Sequence, residues 1–317
     1  MLVDLLELAL SALRVIASVG AAAGVVWSVY RYFQQRLRVR PIRNHLDSDL
    51  PAIFELQPEK FSRDVADDPD IVRDWLREPP PEGDHHYTFI LLSLRYKGDV
   101  VGFLYAHFYE GRRTIFLSYL CVDKDKLPPT KIRQKGAQML LRHMLKAADA
   151  TGTRWVHILT ELELISRPGL PSAESKWVLF QQVAEELSPK TGRVGVYRLG
   201  INFRRILIDP DALASADGAT EPQWLLWAPR AATWVSRREN RTFISRATAL
   251  HLIETLLLRA YAEPFPEARE YQDYLHGEFE RYQRELGPTV EVELNPRMTR
   301  SNAIRQSASE RPHEAAH

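Results

Sequence analysis

Hydrophobic and polar positions change rhythm several times along this chain. The opening stretch is almost uniformly apolar. Leu8–Tyr30 carries one charge, Arg14, and Val15–Tyr30 carries none. As a helix at about 1.5 Å per residue, the longer stretch covers about 35 Å, enough for a hydrocarbon core of about 30 Å. The pattern beyond it is that of a folded domain. Leu37–Ile42 reads as a short strand, and Asp47–Phe61 as a helix capped by Asp47, Ser48 or Asp49. Pro69–Arg77 is a second short helix with proline in its first turn, and Pro79-Pro80-Pro81 forces an extended loop. Three aromatic and β-branched runs follow, Tyr87–Tyr96, Val100–Tyr109 and Thr114–Val122. Short glycine-containing connectors join them, which predicts an antiparallel meander. Lys131–Ala148 returns to a helical period, with Ile132, Met139, Leu140, Met144 and Ala147 along one stripe. Trp155–Leu164 predicts a strand, Ser175–Leu187 a helix, Thr191–Ile208 a turn leading into a strand, and Gln223–Ala228 a short aromatic strand closed by Pro229.

The remainder differs in character. Ser245–Tyr261 carries Leu250, Ile253, Leu257 and Tyr261 on one side, and Glu267–Leu286 carries Tyr271, Leu275, Phe279, Tyr282 and Leu286. Both read as amphipathic helices that need a partner surface. Asn295–His317 is polar and poor in apolar residues, which predicts disorder. The expected organisation is a transmembrane helix at 8–30, a main domain at 37–229, a helical extension at 230–290 and a disordered tail at 291–317.

Charge narrows the function classes. Forty-two Lys+Arg stand against 41 Asp+Glu, a net +1, so a basic excess of the kind that wraps nucleic acid is absent and no nucleic-acid partner is expected. A single cysteine, Cys121, excludes an intrachain disulfide and a cysteine metal cluster, and it reads as a strand core residue. His85-His86 have no third ligand at a recognisable spacing, so no metal is expected. The flanks of the apolar stretch are asymmetric. Asp4 and Glu7 precede it, which argues against a secretory signal. Arg31, Arg36, Arg38, Arg40 and Arg43 follow it with no acid before Asp47. The positive-inside rule then gives a single-pass membrane protein with its bulk in the cytoplasm. Gly20 and Gly24 form a GxxxG face, extended by Ala17 and Ala21, suited to pairing two such helices into a homodimer. The other reading of the segment is a buried or surface-lying amphipathic helix.

Candidate chemistry lies where the strand ending Leu120-Cys121-Val122 meets the helix containing Arg133-Gln134-Lys135-Gly136-Ala137-Gln138. Backbone N–H groups at a helix start bind anionic oxygens, and the helix dipole adds to this. Gly136 would let an anion approach the backbone, and Lys131, Arg133 and Lys135 add positive charge.

That segment, with the order strand, helix, helix, three antiparallel strands, helix, strand, helix, strand, resembles the GNAT superfamily of acyl-CoA-dependent N-acyltransferases. The family's signature is (Gln/Arg)-x-x-Gly-x-(Gly/Ala). Arg133 and Gly136 match it, and Gln138 stands where the family has its final small residue. The resemblance covers roughly Leu37–Pro229. It implies an α+β fold, a mixed, mostly antiparallel sheet flanked by helices, with acetyl-CoA or another acyl-CoA as co-substrate and an amine as acceptor. It further implies a pyrophosphate at Arg133–Gln138 and a pantetheine arm along Leu120, Cys121 and Val122, on a strand that splays from Trp155–Glu163. Tyr197-Arg198-Leu199-Gly200 looks like the family's Tyr-x-x-Leu-Gly-Phe segment, whose tyrosine hydroxyl often protonates the leaving thiolate. Glu161-Leu162-Glu163 fits the Glu-x-Glu of a larger subgroup, so Glu161 or Glu163 would be the base, directly or through water. The expected function is a membrane-anchored N-acyltransferase. Its alternative is a catalytically inactive GNAT-like interaction module at the membrane, in which Gln138 marks lost CoA binding.

Overall fold

A computed structural model describes residues 27–28, 37–60, 68–77, 86–127, 130–163, 172–187, 195–204, 222–230, 234–238, 241–262, 265 and 267–294. Apart from Trp27 and Ser28, the apolar segment 8–30 with its GxxxG motif lies outside the described residues, as does 295–317. Among the described residues no helix is long and apolar enough to cross a membrane.

The meander forms as its alternation predicts. β1 (Leu37–Ile42) pairs with β2 (Tyr87–Tyr96), β2 with β3 (Asp99–Tyr109), and β3 with β4 (Thr114–Val122), all antiparallel. Between β1 and β2 come α1 (Leu50–Lys60) and α2 (Pro69–Arg77). After β4 the chain runs through α3 (Thr130–Asp149) to β5 (His157–Glu163), which lies parallel to β4. Then come α4 (Ala173–Leu187), β6 (Tyr197–Leu199), β7 (Phe203–Arg204) and β8 (Pro222–Pro229). β8 pairs antiparallel with β5, and β7 pairs with β8.

Both faces of the sheet are covered, so β2 and β3 are apolar on both sides. Leu104, Ala106 and Phe108 of β3 join Ile132, Leu140 and Met144 of α3 in one cluster. On the other face, Phe103 and Tyr105 join Ile53, Leu56 and Val72 of α1 and α2. Asp49, just before α1, is fully buried and fastens that helix to β2. It accepts a hydrogen bond from Ser93 Oγ at 2.6 Å and pairs with Arg95 at 2.9 Å.

The carboxyl-terminal region departs from the sequence reading. It is not a helical extension at 230–290 followed by a disordered tail from 291. Among the described residues it contributes β9 (Ser236–Arg238), β10 (Arg241–Ser245) and β11 (Thr289–Leu294) to an 11-stranded sheet of order β1-β2-β3-β4-β5-β8-β6-β11-β10-β9, with β7 off this path beside β8. Between β10 and β11 lie α5 (Arg246–Glu254), a π-helix (Thr255–Tyr261) and α6 (Arg269–Glu285). Ser245 caps α5, its Oγ accepting the Thr248 N–H at 3.1 Å. These helices bury Leu252, Ile253, Leu257, Tyr271, Leu275 and Tyr282 in one cluster with Tyr109, Phe116, Leu159 and Trp227 of the preceding strands. The core therefore runs across the expected boundary at 229/230, because each amphipathic stripe finds its partner in the sheet itself.

Candidate active site

The sheet parts at one place. Register between β4 and β5 runs from Thr114↔His157 to Leu117↔Thr160 and stops, although β4 continues to Val122 and β5 to Glu163. The Thr160 hydroxyl donates to the Leu117 carbonyl at 2.8 Å, sealing the last rung. Ser118 is the next residue, and there β4 bulges against β3, with Tyr105 opposite Tyr119 but Ala106 opposite Leu117. A bulge inserts one residue and increases local twist, which turns the strand away from its neighbour. It also reverses the side-chain phase. Ile115 and Leu117 pack toward α3, yet after the bulge Leu120 and Val122 do so, and Tyr119 and Cys121 face α1. Among the described residues, no strand pairs with the β5-facing edge of β4 over 118–122. Leu120, Cys121 and Val122 lie on this last stretch of β4, beyond its final rung with β5.

The helix after β4 corrects part of that reading. α3 starts at Thr130, so the amides left over at its start are those of Thr130, Lys131 and Ile132; Pro129 has no N–H. Gln134, Lys135, Gly136, Ala137 and Gln138 lie deeper in the helix, where backbone N–H groups are engaged in the helical ladder. Gly136 faces the sheet. A Cβ there would fall 2.6 Å from Leu94 Cδ2 and 3.8 Å from Val122 Cγ1, so the glycine lets helix and sheet approach closely. It does not open the backbone to an anion. Ala137 is also buried, Gln134 is exposed, and Lys135 and Gln138 are half-buried. Arg133 remains at the helix start, donating to Thr130 Oγ1 at 2.9 Å and to the Lys124 carbonyl at 3.4 Å.

β5 carries the candidate bases. Glu161 lies on the face of Leu159, toward the terminal helices, and accepts a hydrogen bond from the Tyr261 hydroxyl. Burial and the Glu161 carboxylate together push the Tyr261 phenol well above its usual range, so it stays protonated and donates. Tyr271 is raised by burial and by Glu161 as well, and its buried hydroxyl has no hydrogen-bond partner among the described residues. Tyr119, the first residue past the bulge, acts on Tyr261 electrostatically. Glu163 ends β5, with its backbone paired to Gln223.

Tyr197 does not join this group. It lies on the extended strand β6, opposite Trp227 of β8 and Leu294 of β11. Its ring is 5.7 Å from the Trp227 ring, and burial raises its phenol pKa. β8 separates β6 from β5, which sets Tyr197 roughly 10 Å to the side of Glu161 by strand spacing. The tyrosine that meets Glu161 is Tyr261, which sequence reading took as the last apolar position of a helical stripe. Its pairing depends on the π-helical turn, in which the Ala262 N–H reaches back to the Leu257 carbonyl at 3.1 Å. His86 lies 3.1 Å from Glu110, and no group of metal-ligating side chains occurs among the described residues.

No family model matches the chain, and no curated protein matches it. Solved structures do. A diaminobutyrate acetyltransferase from Paenibacillus lautus, bound to L-2,4-diaminobutyric acid and coenzyme A, is 19% identical with a TM-score of 0.39, over 61% of this chain and 95% of that one. A GNAT-family acetyltransferase from Bacteroides thetaiotaomicron is 12% identical with a TM-score of 0.39, over 71% and 99%. An aminoglycoside 6'-acetyltransferase type Ii is 12% identical with a TM-score of 0.37, over 63% and 99%. Among the described residues the chain has an α+β architecture, with a mostly antiparallel sheet and one parallel pair, β4 with β5.

Proposed function

We propose that the chain is an N-acyltransferase that moves an acetyl or other acyl group from acyl-CoA to an amine, and that residues 8–30 anchor it in a membrane with the domain on the cytoplasmic side. The observation that carries the first part is the parting of β4 from β5 after Leu117 and Thr160. A β-strand edge left open in the interior of a sheet offers N–H and C=O groups to an extended amide chain. The pantetheine arm of coenzyme A is such a chain. Residues 118–122 would hold it, and the amides of Thr130–Ile132 with Lys131 and Arg133 would take its diphosphate, since that helix start offers both unpaired N–H groups and positive charge.

Bound acyl-CoA supplies a thioester carbonyl for attack. The attacking amine must lose a proton, and Glu161 is the base best placed beside the parting strands. A C–N bond forms, the C–S bond breaks, the amine proton passes to the carboxylate, and the thiolate leaves. Tyr261 is a positioning residue in this scheme. Its hydroxyl holds the carboxylate, and a phenol held so firmly protonated is a poor proton donor to a thiolate, whose pKa near 8.5 lets it leave unaided.

A second reading, an inactive binding module, draws support from the same contact, because Tyr261 and Tyr271 close over Glu161 from the terminal helices. Titration calorimetry of coenzyme A into the full chain in detergent, with release of free thiol from acetyl-CoA across a panel of primary amines, separates the readings. Binding with turnover supports the transferase, binding without turnover supports the module, and no binding overturns both.

A further inference from the structure

We infer that the acceptor is an amine on an uncharged apolar body, an arylalkylamine in its simplest form, seated on the aromatic face of β3 and β4 with its nitrogen between Glu161 and the hydroxyl of Tyr271. This rests on the reading of the chain as an N-acyltransferase with Glu161 as its base.

Register lays that face out in rows. Phe89, His107, Phe116 and Leu159 lie side by side across β2 to β5. The next row holds Tyr105 and Tyr119, and Glu161 lies toward it, two residues beyond Leu159 on β5. Two separate covers close on the face. α1 and α2 pack on Phe103, Tyr105, Tyr119 and Cys121, whereas the terminal helices pack on Tyr109, Phe116 and Leu159. The covers meet over His107 and Phe116. From α2, Trp75 stands edge-on to the His107 ring at 4.7 Å, and from the π-helix, Tyr261 lies 6.2 Å from the Phe116 ring. Trp75, Phe89 and Glu161 along this seam are only half-buried. A seam between two separately packed layers, ending at a half-buried carboxylate, admits a small ligand without unfolding either layer.

The lining is selective. Phe103–Tyr109, Thr114–Cys121 and His157–Glu161 contain a single carboxylate, Glu161, and no lysine or arginine. Their two histidines are uncharged at neutral pH. Burial lowers His107 to about 3, and burial with His251 and Arg113 nearby lowers His157 to about 4. A second ammonium on the acceptor would find no further carboxylate on these strands, and an acceptor carboxylate would find no cation. Either charge would lose its water without compensation. Aromatic rings instead take an apolar body and favour a cation at its amino end. Two buried polar groups lack a hydrogen-bond partner among the described residues, His107 Nδ1 and the Tyr271 hydroxyl, on side chains 6% and 1% exposed. A buried group left so is costly, and a ligand that completes it recovers that cost. Burial and the Glu161 charge hold the Tyr271 phenol protonated, which sets it within electrostatic reach of the carboxylate. Tyr261 already donates to Glu161 from the π-helix. An ammonium entering between Glu161 and Tyr271 gives one proton to the carboxylate and keeps an N–H on the phenol oxygen. Its freed lone pair then forms the C–N bond at the thioester carbon as the C–S bond breaks.

The test uses the full chain in detergent, with calorimetry of coenzyme A and thiol release from acetyl-CoA. Acceptors are compared in matched pairs. L-Phenylalanine adds a carboxylate to phenethylamine, and 1,5-diaminopentane adds an ammonium to pentylamine. In each pair the amine without the added charge should have the higher kcat/KM, by at least about tenfold. Tyr271→Phe removes the hydroxyl and keeps the ring against Phe265, 5.7 Å away. KM for phenethylamine should rise about five- to tenfold, more than any fall in kcat, with a melting temperature no lower than wild type because an unpaired buried group is lost. Equal or better turnover of L-phenylalanine or 1,5-diaminopentane overturns the acceptor class and leaves the transferase standing; Arg259, half-buried on the π-helix, would then be the cation to replace for a bound carboxylate. An unchanged KM in Tyr271→Phe overturns the seat at Tyr271. Coenzyme A binding without turnover of any of the four amines overturns the acceptor class as well. Absence of coenzyme A binding overturns the transferase reading and this inference with it.

Discussion

The phenol of Tyr261 donates to the carboxylate of Glu161, joining two residues that sit on a terminal π-helix and a central strand. The contact ties the carboxyl-terminal helices to the point where the sheet parts. Whatever reacts there must do so within a wall supplied by the last part of the chain.

Tyr261→Phe removes the hydroxyl and keeps the ring against Phe116, whose centroid lies 6.2 Å away. The variant should lose about 1.5–3 kcal/mol of stability in urea unfolding, the range for a hydrogen bond to a charged group. Thiol release should fall about tenfold or more, with the Kd for coenzyme A within about twofold of wild type. Tyr197→Phe, one strand beyond β8, should leave turnover within about threefold. The reverse order of effects would assign the role to Tyr197.

The start of α3 can be tested by charge. Lys131→Glu with Arg133→Glu replaces two cations by anions beside the unpaired amides. Calorimetry should show coenzyme A affinity reduced by at least about tenfold, with far-ultraviolet circular dichroism unchanged. Retained affinity would place the diphosphate elsewhere.

Gly136→Asp is expected to fail as a folded protein. Its carboxylate would be buried between Leu94 and Val122 with no charge partner, costing about 3 kcal/mol or more. Early unfolding in a thermal melt is the expected result. A stable variant that merely lost cofactor binding would restore the glycine to an anion site.

Acid should weaken the fold through buried histidine. His157 accepts a hydrogen bond from Trp227 Nε1 at 3.1 Å, and burial, with His251 and Arg113 nearby, lowers its pKa to about 4. The unfolded chain then binds more protons between that value and about 6.5, so this stability is complete above pH 6.5 and is lost as pH falls toward 4. Urea unfolding should show about 2 kcal/mol less stability at pH 5 than at pH 7 from this group. His157→Asn, which keeps an acceptor near Trp227, should flatten that dependence. An unchanged slope would move the acid sensitivity elsewhere, with His107, lowered to about 3 by burial alone, as the next group to replace.

The membrane reading predicts that the protein pellets with membranes and resists carbonate extraction, and that a reporter fused after His317 stays cytoplasmic. Extraction into the soluble fraction would favour an amphipathic or packed helix instead.

Period and punctuation carried the sequence reading as far as the meander, α3 and β5, where alternation, short turns and a helical stripe all agree. They failed where partners are distant in sequence. Thr289–Leu294 alternates Val290, Val292 and Leu294 with Glu291 and Glu293, a strand pattern, yet its neighbours β6 and β10 could not be read from it. Glu161 was legible as a carboxylate on a strand end, but its partner lies a hundred residues away on a turn whose register departs from an α-helix. Gly136 was legible as a glycine at a helix near a strand. Only the packing shows which way it faces.

The place of β6 in the sheet bears on when the fold can be completed during synthesis. β6 has β8 on one side and β11 on the other, and Tyr197 is paired with Leu294. A ribosome making this chain must therefore release nearly all of it before β6 acquires its second neighbour, and until then the face of Phe116, Leu159 and Trp227 waits without its helices. Early strands can meander as they emerge, because their contacts are local, but the middle of the sheet closes last. A stalled or truncated product ending near Pro229 would display that apolar face, and it should be recognised by chaperones and proteases as unfinished.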